Sequence, residues 1–447
     1  MIFKNKVDLL HGSVFKGLIL FTLPLIGTSL IQLMFSTADM IFAGNFLGDA
    51  AAAAVGASTL IVYFSIAFLV GLSTGAGVII SSHFGAGNKN KLQKSLQNSV
   101  IISIAFGIIL TLLSFLLSPL ILTLTNVPSD LFETAASYCR IYSLSIVFAS
   151  LYNFGFAALR SISNSKKPFI FLAIGGVANI TLNAVFILIF HMGVNGLAWA
   201  TFISQMIIVI CVYREIQKKT LDNPIRINRL HIDPYYIKKI LWIGIPIALQ
   251  LTIIIFSNLF IQSQINLFGD DTMAAFYYYY KIDNLVWMVT VAFGQAVTVF
   301  VSQNLGAGNI LRAREGVKKC MMLGVAGTLV MNIIIMLFST PLMSVFTHDA
   351  HIIQISIEIL FIIMPLYCIF AVVEILNGAL KGAGKTFAAM VIILVNFCLV
   401  RIIFLYLFQT VSLSVNSIAM VYPASWITVT ICLAVYYKLR PMKSEVY

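Results

Sequence analysis

Twelve long apolar segments follow one another along this chain, and they constrain its fold more than any other feature of the sequence. At about 1.5 Å per residue, a helix formed by such a segment crosses the ~30 Å hydrocarbon core of a bilayer. Charged residues make up only 10% of the chain, whereas a soluble domain carries roughly 25%. We therefore predict an all-α integral membrane protein with twelve transmembrane helices, over about residues 17–43, 52–80, 96–122, 131–159, 168–190, 197–213, 240–267, 272–302, 317–338, 350–380, 387–408 and 414–437.

The basic residues lie in alternate connections between these segments. The formal net charge is +12, and 25 of the 28 Lys and Arg residues fall before the first segment, after the last one, or in every second loop, with Lys318 and Lys319 at the loop edge of the ninth segment counted among them. The intervening loops contain no Lys or Arg. Since positively charged loops stay in the cytoplasm, we predict a multi-pass protein of the plasma membrane with both termini cytoplasmic. The basic excess is a topology signal, and no nucleic-acid partner is expected.

Two features that suggest a cofactor do not fit their motifs. The run KGAGKT (381–386) resembles the end of a phosphate-binding loop, but the pattern G-x-x-x-x-G-K-[ST] requires glycine where the chain has Ala379. The six cysteines have no CxxC spacing, which argues against a zinc site. We expect no enzyme, no catalytic residues, no cofactor, no structural metal and no nucleotide partner.

The chain repeats itself at an offset of 221 or 222 residues. The run IISSHFGAGNKNKLQKS (79–95) after the second segment matches FVSQNLGAGNILRAREG (300–316) after the eighth. Pro24 in LPLIG likewise matches Pro246 in IPIAL. An even number of helices in each half gives both halves the same orientation, so the repeat is parallel.

The repeat defines the predicted domains. We expect two six-helix lobes over residues 1–213 and 240–447, joined by a cytoplasmic linker over residues 214–239. Internal repeats of this kind are typical of transporters with a central site between the halves. A proline in a helix interior removes a hydrogen bond and bends the axis, so the two matching prolines are predicted hinges.

An acidic residue, Asp39, lies within the first apolar segment. An ionised side chain at the centre of a membrane helix costs at least ~3 kcal/mol on insertion scales, so Asp39 needs a partner or a function. The matching stretch of the second repeat, residues 254–269, contains no acid. This asymmetry favours a functional role over shared scaffolding, and the alternative is a structural salt bridge with Arg140.

Uncharged polar side chains in the fourth, fifth and sixth segments can share a site with Asp39. Asn179 and Asn183 are four residues apart and therefore lie on one face of a helix. Tyr138 and Thr201 supply hydroxyl groups. Carboxylate, amide and hydroxyl oxygens suit a hard cation such as Na⁺, and burial favours the protonated form of a carboxylate. These five residues are the predicted site for a coupling cation or proton.

Four more charged residues lie at similar depth in the second half of the chain. They are two bases and two acids: Lys281, Asp283, Glu358 and Arg401. Because buried charges survive by pairing, we predict that they form a neutral ion-pair cluster. The alternative is a gate or a network that contacts the substrate.

The motifs together resemble the MATE (multidrug and toxic compound extrusion) family, and within it the bacterial, DinF-like members. The resemblance extends over essentially all twelve segments. It rests on Pro24 with Asp39 fifteen residues later, on the paired GAGN loops, and on the runs AALRSISNSKKP (157–168), NITLN (179–183) and KID (281–283). The resemblance implies a V-shaped pair of six-helix lobes and export by alternating access, powered by inward flow of H⁺ or Na⁺.

In the proteins that this chain resembles, an aspartate at this place in the first helix binds the coupling cation or proton. Its partners there are an Asn and an Asp four residues apart in the fifth helix and a Thr in the sixth. By motif, these positions correspond to Asp39, Asn179, Asn183 and Thr201. Because Asn183 stands where the family has the second aspartate, the site has one formal charge fewer, which leaves H⁺ and Na⁺ open and favours H⁺ slightly.

We therefore expect a secondary active exporter of small cationic or amphipathic compounds, present in the lipid bilayer as a monomer and driven by H⁺ or Na⁺. The alternative is a lipid-linked oligosaccharide flippase, because such flippases resemble this family in fold. A flippase should line its cavity with basic residues for pyrophosphate, whereas the charges in the second half of this chain are balanced.

Overall fold

The structure is a computed structural model that describes residues 7–124, 127–219, 230–412, 414–440 and 442. Within these residues, twelve helices are long and apolar enough to cross a membrane, and each coincides with one predicted segment. The prediction of an all-α membrane protein with twelve spans is confirmed. In chain order the helices are α1 (Val14–Leu47), α2 (Asp49–Gly85), α3 (Lys89–Leu124), α4 (Ser129–Ser161), α5 (Lys166–Ile189), α6 (Val194–Lys219), α7 (Pro234–Phe268), α8 (Asp270–Gly306), α9 (Ile310–Leu337), α10 (Ala350–Gly382), α11 (Thr386–Thr410) and α12 (Val415–Leu439).

The two GAGN loops end one helix and begin the next in the same way. Gly87 and Gly308 have φ values of +66° and +74°, a left-handed conformation that favours glycine. The asparagine that follows, Asn88 or Asn309, accepts a hydrogen bond from the backbone N–H three residues later. This cap satisfies a donor that the first turn of α3 or α9 would otherwise leave unpaired. The repeated motif therefore encodes a repeated turn.

The chain forms two compact units whose limits fall inside helices. The first unit is built around Leu23–Ala248, and the second combines Asp8–Thr22 with Leu249–Tyr447. The N-terminal turns of α1 thus belong to the second unit, and those of α7 belong to the first. One limit lies next to Pro24 and the other next to Pro246.

In the first unit, α2 crosses the N-terminal part of α7 with the two backbones in contact. A Cβ atom on Gly71 would lie 2.2 Å from the Cα atom of Ala248, and one on Gly75 would lie 2.3 Å from the Cα atom of Gly244. Small residues at four-residue spacing on both helices permit this approach. Because Pro246 lies between Gly244 and Ala248, the bend-prone turn of α7 rests against α2.

In the second unit, the apolar core surrounds α8 and α10. Tyr279 of α8 and Tyr367 of α10 are each only 2% exposed and belong to the same buried cluster. The two helices approach closely, because a Cβ atom on Gly378 would lie 2.3 Å from the carbonyl oxygen of Gly294. A buried tyrosine hydroxyl requires a hydrogen-bond partner, and that of Tyr279 donates to Asp283.

The segment before α1 is bound to the ends of α8 and α9. Leu9 is 1% exposed, and its carbonyl oxygen accepts a hydrogen bond from Nδ2 of Asn304 at 3.2 Å. The guanidinium group of Arg312 donates to the carbonyl oxygens of His11 at 2.9 Å and Gly12 at 3.0 Å. Charged donors of this kind make stronger hydrogen bonds than neutral ones, so Arg312 anchors the chain where it enters α1.

Candidate ion-coupling site

Asp39 is half-buried in α1, and its carboxylate is held by an amide from α5. Oδ1 of Asp39 accepts a hydrogen bond from Nδ2 of Asn183 at 2.6 Å, and Asn183 is fully buried. Arg140 is exposed, and in the described part of the chain it makes no ion pair with Asp39. The salt-bridge alternative is therefore wrong, and the partner of the carboxylate is neutral.

The amide that binds Asp39 is the first member of a chain of polar contacts. Nδ2 of Asn183 lies 3.3 Å from Oδ1 of Asn179, one helical turn earlier on the same face. Nδ2 of Asn179 in turn lies 3.4 Å from Oγ1 of Thr201 on α6. The structure thus connects Asp39, Asn183, Asn179 and Thr201, which are four of the five predicted site residues.

One hydrogen-bond acceptor among these polar side chains has no partner in the described part of the protein. Oδ1 of Asn183 is buried and accepts no hydrogen bond from any described residue. A buried acceptor in this state costs about 1–3 kcal/mol. If the amide turned over, Oδ1 of Asn183 would face the carboxylate and would offer a cation the hard oxygen ligand that Na⁺ prefers. In that orientation a proton on Asp39 would supply the donor that Oδ1 of Asn183 lacks.

The fifth predicted residue, Tyr138, lies close by but in a different environment. It is 6% exposed and packs in an apolar cluster with Ala43, Ile187 and Ala198. Its ring centroid lies 5.9 Å from that of Tyr142. Among the described residues, the hydroxyl of Tyr138 makes no hydrogen bond to Asp39. Tyr138 is therefore part of the apolar surroundings and not a ligand of the site.

Two features near the site were not predicted. Gln205 lies four residues after Thr201 on α6, is 8% exposed, and has a buried Oε1 atom without a partner in the described chain. The four-residue spacing of Thr201 and Gln205, which equals that of Asn179 and Asn183, could have indicated this residue from the sequence. The second feature is a π-helical turn, Val185–Ile189, which follows Asn183 in α5. Such turns are frequent at functional sites, but nothing in the sequence marked it.

The four charges of the second unit do not form the predicted ion-pair cluster. Lys281 is exposed, and its ammonium group lies 4.8 Å from the centroid of the Tyr277 ring. Glu358 is also exposed and accepts a hydrogen bond from Gln354. No ion pair joins any of the four within the part of the chain that the structure describes.

The other two members of this set, the buried Arg401 and the half-buried Asp283, are bound by neutral groups instead. Arg401 is 3% exposed and donates to Oδ1 of Asn258 at 3.0 Å and to Oγ of Ser425 at 3.3 Å. Its guanidinium carbon lies 4.5 Å from the ring centroid of Phe397, a cation–π contact. Asp283 accepts a hydrogen bond from a tyrosine hydroxyl. Lys281 and Asp283 cannot meet because residues two apart point to different sides of a helix.

Twelve membrane-spanning helices and a parallel repeat of six define a polytopic membrane transporter. The MatE family model matches residues 24–185 and again residues 246–407, two matches that begin at the repeated prolines. The chain belongs to this family, the MATE transporters, whose members are transporters and not enzymes.

Relatives and solved structures agree with this assignment. The chain is 28% identical over 404 residues to the probable multidrug resistance protein YpnP of Bacillus subtilis (strain 168), with 90% of each chain covered. It is 28% identical over 396 residues to the probable multidrug resistance protein NorM of Thermotoga maritima, with 87% of this chain and 84% of the relative covered. The outward-facing conformation of a multidrug resistance MATE family transporter of the MOP superfamily shares the fold, with a TM-score of 0.91 at 20% identity over 98% of each chain. The flippase alternative is not favoured.

Proposed function

We propose that this protein exports small cationic or amphipathic compounds across the plasma membrane, driven by inward flow of H⁺ or Na⁺ through the Asp39 site. Membership of the MATE family supports export, because the relatives described above are named as multidrug resistance proteins. One observation supports the ion-coupling role: the 2.6 Å hydrogen bond between Asn183 and Asp39, beside an Oδ1 atom of Asn183 that has no partner among the described residues. A carboxylate with only neutral partners leaves a net negative charge in the site, which a bound cation or proton neutralises, whereas a salt bridge already neutralises that charge with a fixed cation.

Between the two ions, the composition of the site favours H⁺. It contains one carboxylate, and its remaining polar groups are two amides and a hydroxyl. Na⁺ needs several oxygen ligands to replace the water it loses, and this site offers it one carboxylate and few neutral oxygens, whereas a proton needs only one oxygen of Asp39. Protonation also weakens the charge-assisted bond to Asn183, so the contact between α1 and α5 changes strength with each proton bound.

The two prolines are proposed as the hinges that connect ion binding to movement. Each lies next to the place where α1 or α7 passes from one compact unit to the other. The missing N–H of a proline leaves a carbonyl one turn earlier without its helical partner. In α1, the hydroxyl of Thr28 donates to the carbonyl oxygen of Pro24 at 2.7 Å, a bond that favours bending of the same turn.

Transport in proteoliposomes tests this proposal. Purified protein would be reconstituted, and efflux of a fluorescent amphipathic cation would be measured with a proton gradient and a sodium gradient imposed separately. We expect efflux with the proton gradient, stopped by a protonophore, and a smaller effect of the sodium gradient. Equal efflux in the presence and absence of both gradients would contradict coupled export.

A further inference from the structure

A second carboxylate lies inside a membrane-spanning helix without a cationic partner. Asp283 of α8 is half-buried, and its Oδ1 atom accepts a hydrogen bond from the hydroxyl of Tyr279 at 2.8 Å. Tyr367 of α10 is 2% exposed and belongs to the same apolar cluster as Tyr279. In the described part of the chain, no Lys, Arg or His side chain lies within ion-pair distance of Asp283. The acid belongs to the second unit, whereas the Asp39 site belongs to the first.

The other titratable groups around Asp283 are engaged elsewhere. On α8 itself, Lys281 is exposed and contacts Tyr277, and Tyr280 shares a 2.7 Å hydrogen bond with Tyr422 of α12. On α11, the guanidinium group of Arg401 is bound to the neutral side chains described above and lies 5.2 Å from the ring centroid of Tyr422.

Another acid, Glu374 of α10, also packs against α8. It lies beside Gly294, which is eleven residues from Asp283 and hence about 16 Å along the helix at ~1.5 Å per residue. As a like charge, Glu374 does not stabilise the ionised form of Asp283. In the described part of the chain, the charged form of Asp283 is supported by the hydroxyl of Tyr279.

These neighbours suit a proton better than a metal cation. An ionised carboxylate inside a membrane-spanning helix is costly without a counter-charge, and one neutral donor offsets only part of that cost. Na⁺ requires several oxygen atoms that point lone pairs at it, but the hydroxyl of Tyr279 donates its proton to the carboxylate. A proton needs one oxygen only. We propose that Asp283 is a second proton-binding site of this transporter, separate from the Asp39 site.

The sequence repeat supports the independence of the two sites. At the offset of 221 residues, Asp283 corresponds to Val62, and at the offset of 222 residues Asp39 corresponds to Ile261. Each unit therefore contains an intramembrane acid that its counterpart lacks. An ionisable residue inside a membrane is energetically costly and usually functional. Two acids at positions that do not correspond in the repeat therefore indicate two separate sites and not one duplicated structural feature.

Infrared difference spectroscopy of the full-length protein in lipid nanodiscs tests this inference. Spectra would be recorded from about pH 4 to about pH 9, a range that spans ordinary carboxyl titration and neutrality. We expect a carboxylic C=O stretching band that titrates in the wild type and is lost in Asp283→Asn. The band should remain in Asp39→Asn and in Asp270→Asn, the matched change of an exposed acid at the start of the same helix.

A second variant keeps the test decisive if Asp283→Asn does not fold. Tyr279→Phe removes one donor to the ionised form, so the band should persist to higher pH by about one to two pH units. An unchanged band in Asp283→Asn, or an unshifted band in Tyr279→Phe, would overturn the proposal. Because the measurement uses no gradient and the Asp283→Asn and Tyr279→Phe variants leave Asp39 intact, its failure is distinguishable from a failure of the export function.

Discussion

Asn183→Asp is expected to convert the Asp39 site into one that binds Na⁺ tightly. The new carboxylate would stand where Nδ2 of Asn183 now lies 2.6 Å from Oδ1 of Asp39. Two negative charges about 3 Å apart repel by roughly 5–6 kcal/mol at an effective dielectric constant of ~20. Such a pair either retains a proton or binds a cation between the acids. Oδ1 of Asn179, which lies 3.3 Å from Nδ2 of Asn183, is the next oxygen in the site.

Thermal unfolding of the purified protein measures this change. Unfolding in Na⁺ would be compared with unfolding in choline at equal ionic strength, because a bound ion stabilises the folded state. At a concentration of about 100 times Kd the gain is roughly 2–3 kcal/mol, and we expect it in Asn183→Asp but not in the wild type. Asn416→Asp, a change of an exposed amide at the start of α12, is the matched control. An equal response of wild type and Asn183→Asp to Na⁺ would refute the assignment of Asn183 to the site.

Three further variants test the packing that supports the two units. Arg312→Ala should lower stability by about 1–2 kcal/mol, because it removes charged donors from the carbonyls that precede α1; Arg314→Ala should cost less, and equal losses in denaturant titrations would contradict the anchoring role. Gly75→Val should cost ~3 kcal/mol or more, since its Cβ meets α7 backbone; Gly56→Val, with nothing within 4 Å of its Cβ, is the control, and equal thermal shifts would argue against the close crossing. Arg401→Lys should destabilise the protein despite keeping the charge, because an ammonium group cannot reproduce the planar donors and ring contact; wild-type stability would show that these contacts contribute little.

The sequence allowed much of the fold and the Asp39 site to be predicted. Apolar segments long enough to cross a bilayer are a property of composition along the chain, so twelve spans could be counted directly. The four-residue spacing of Asn179 and Asn183 places both side chains on one face of α5 whatever surrounds that helix. Their contacts with Asp39 and Thr201 required information from other helices, which the family resemblance supplied. The transport role of these residues stays a prediction.

The charges of the second unit could not be placed correctly in the same way. Counting residues along a helix gives the depth of a side chain in the membrane, and by that count Lys281, Asp283, Glu358 and Arg401 are expected at a similar depth. It does not give the direction in which each side chain points relative to the neighbouring helices. Lys281 and Glu358 are exposed, and Arg401 and Asp283 are bound by amides, hydroxyls and aromatic rings that carry no charge. Because these partners are neutral, the sequence contains no pattern of opposite charges from which their contacts could have been predicted.

The role of Asp39 is tested most directly by Asp39→Asn in proteoliposomes, with efflux measured per folded transporter under an imposed gradient. The amide keeps the shape of the side chain but removes the charge that a cation or proton would neutralise. We expect gradient-driven efflux to collapse while the protein stays folded and still binds substrate at equilibrium. Asp130→Asn, the same change at an exposed position at the start of α4, should transport normally. Efflux by Asp39→Asn at the wild-type rate per molecule would contradict the proposal that this carboxylate couples export to ion flow.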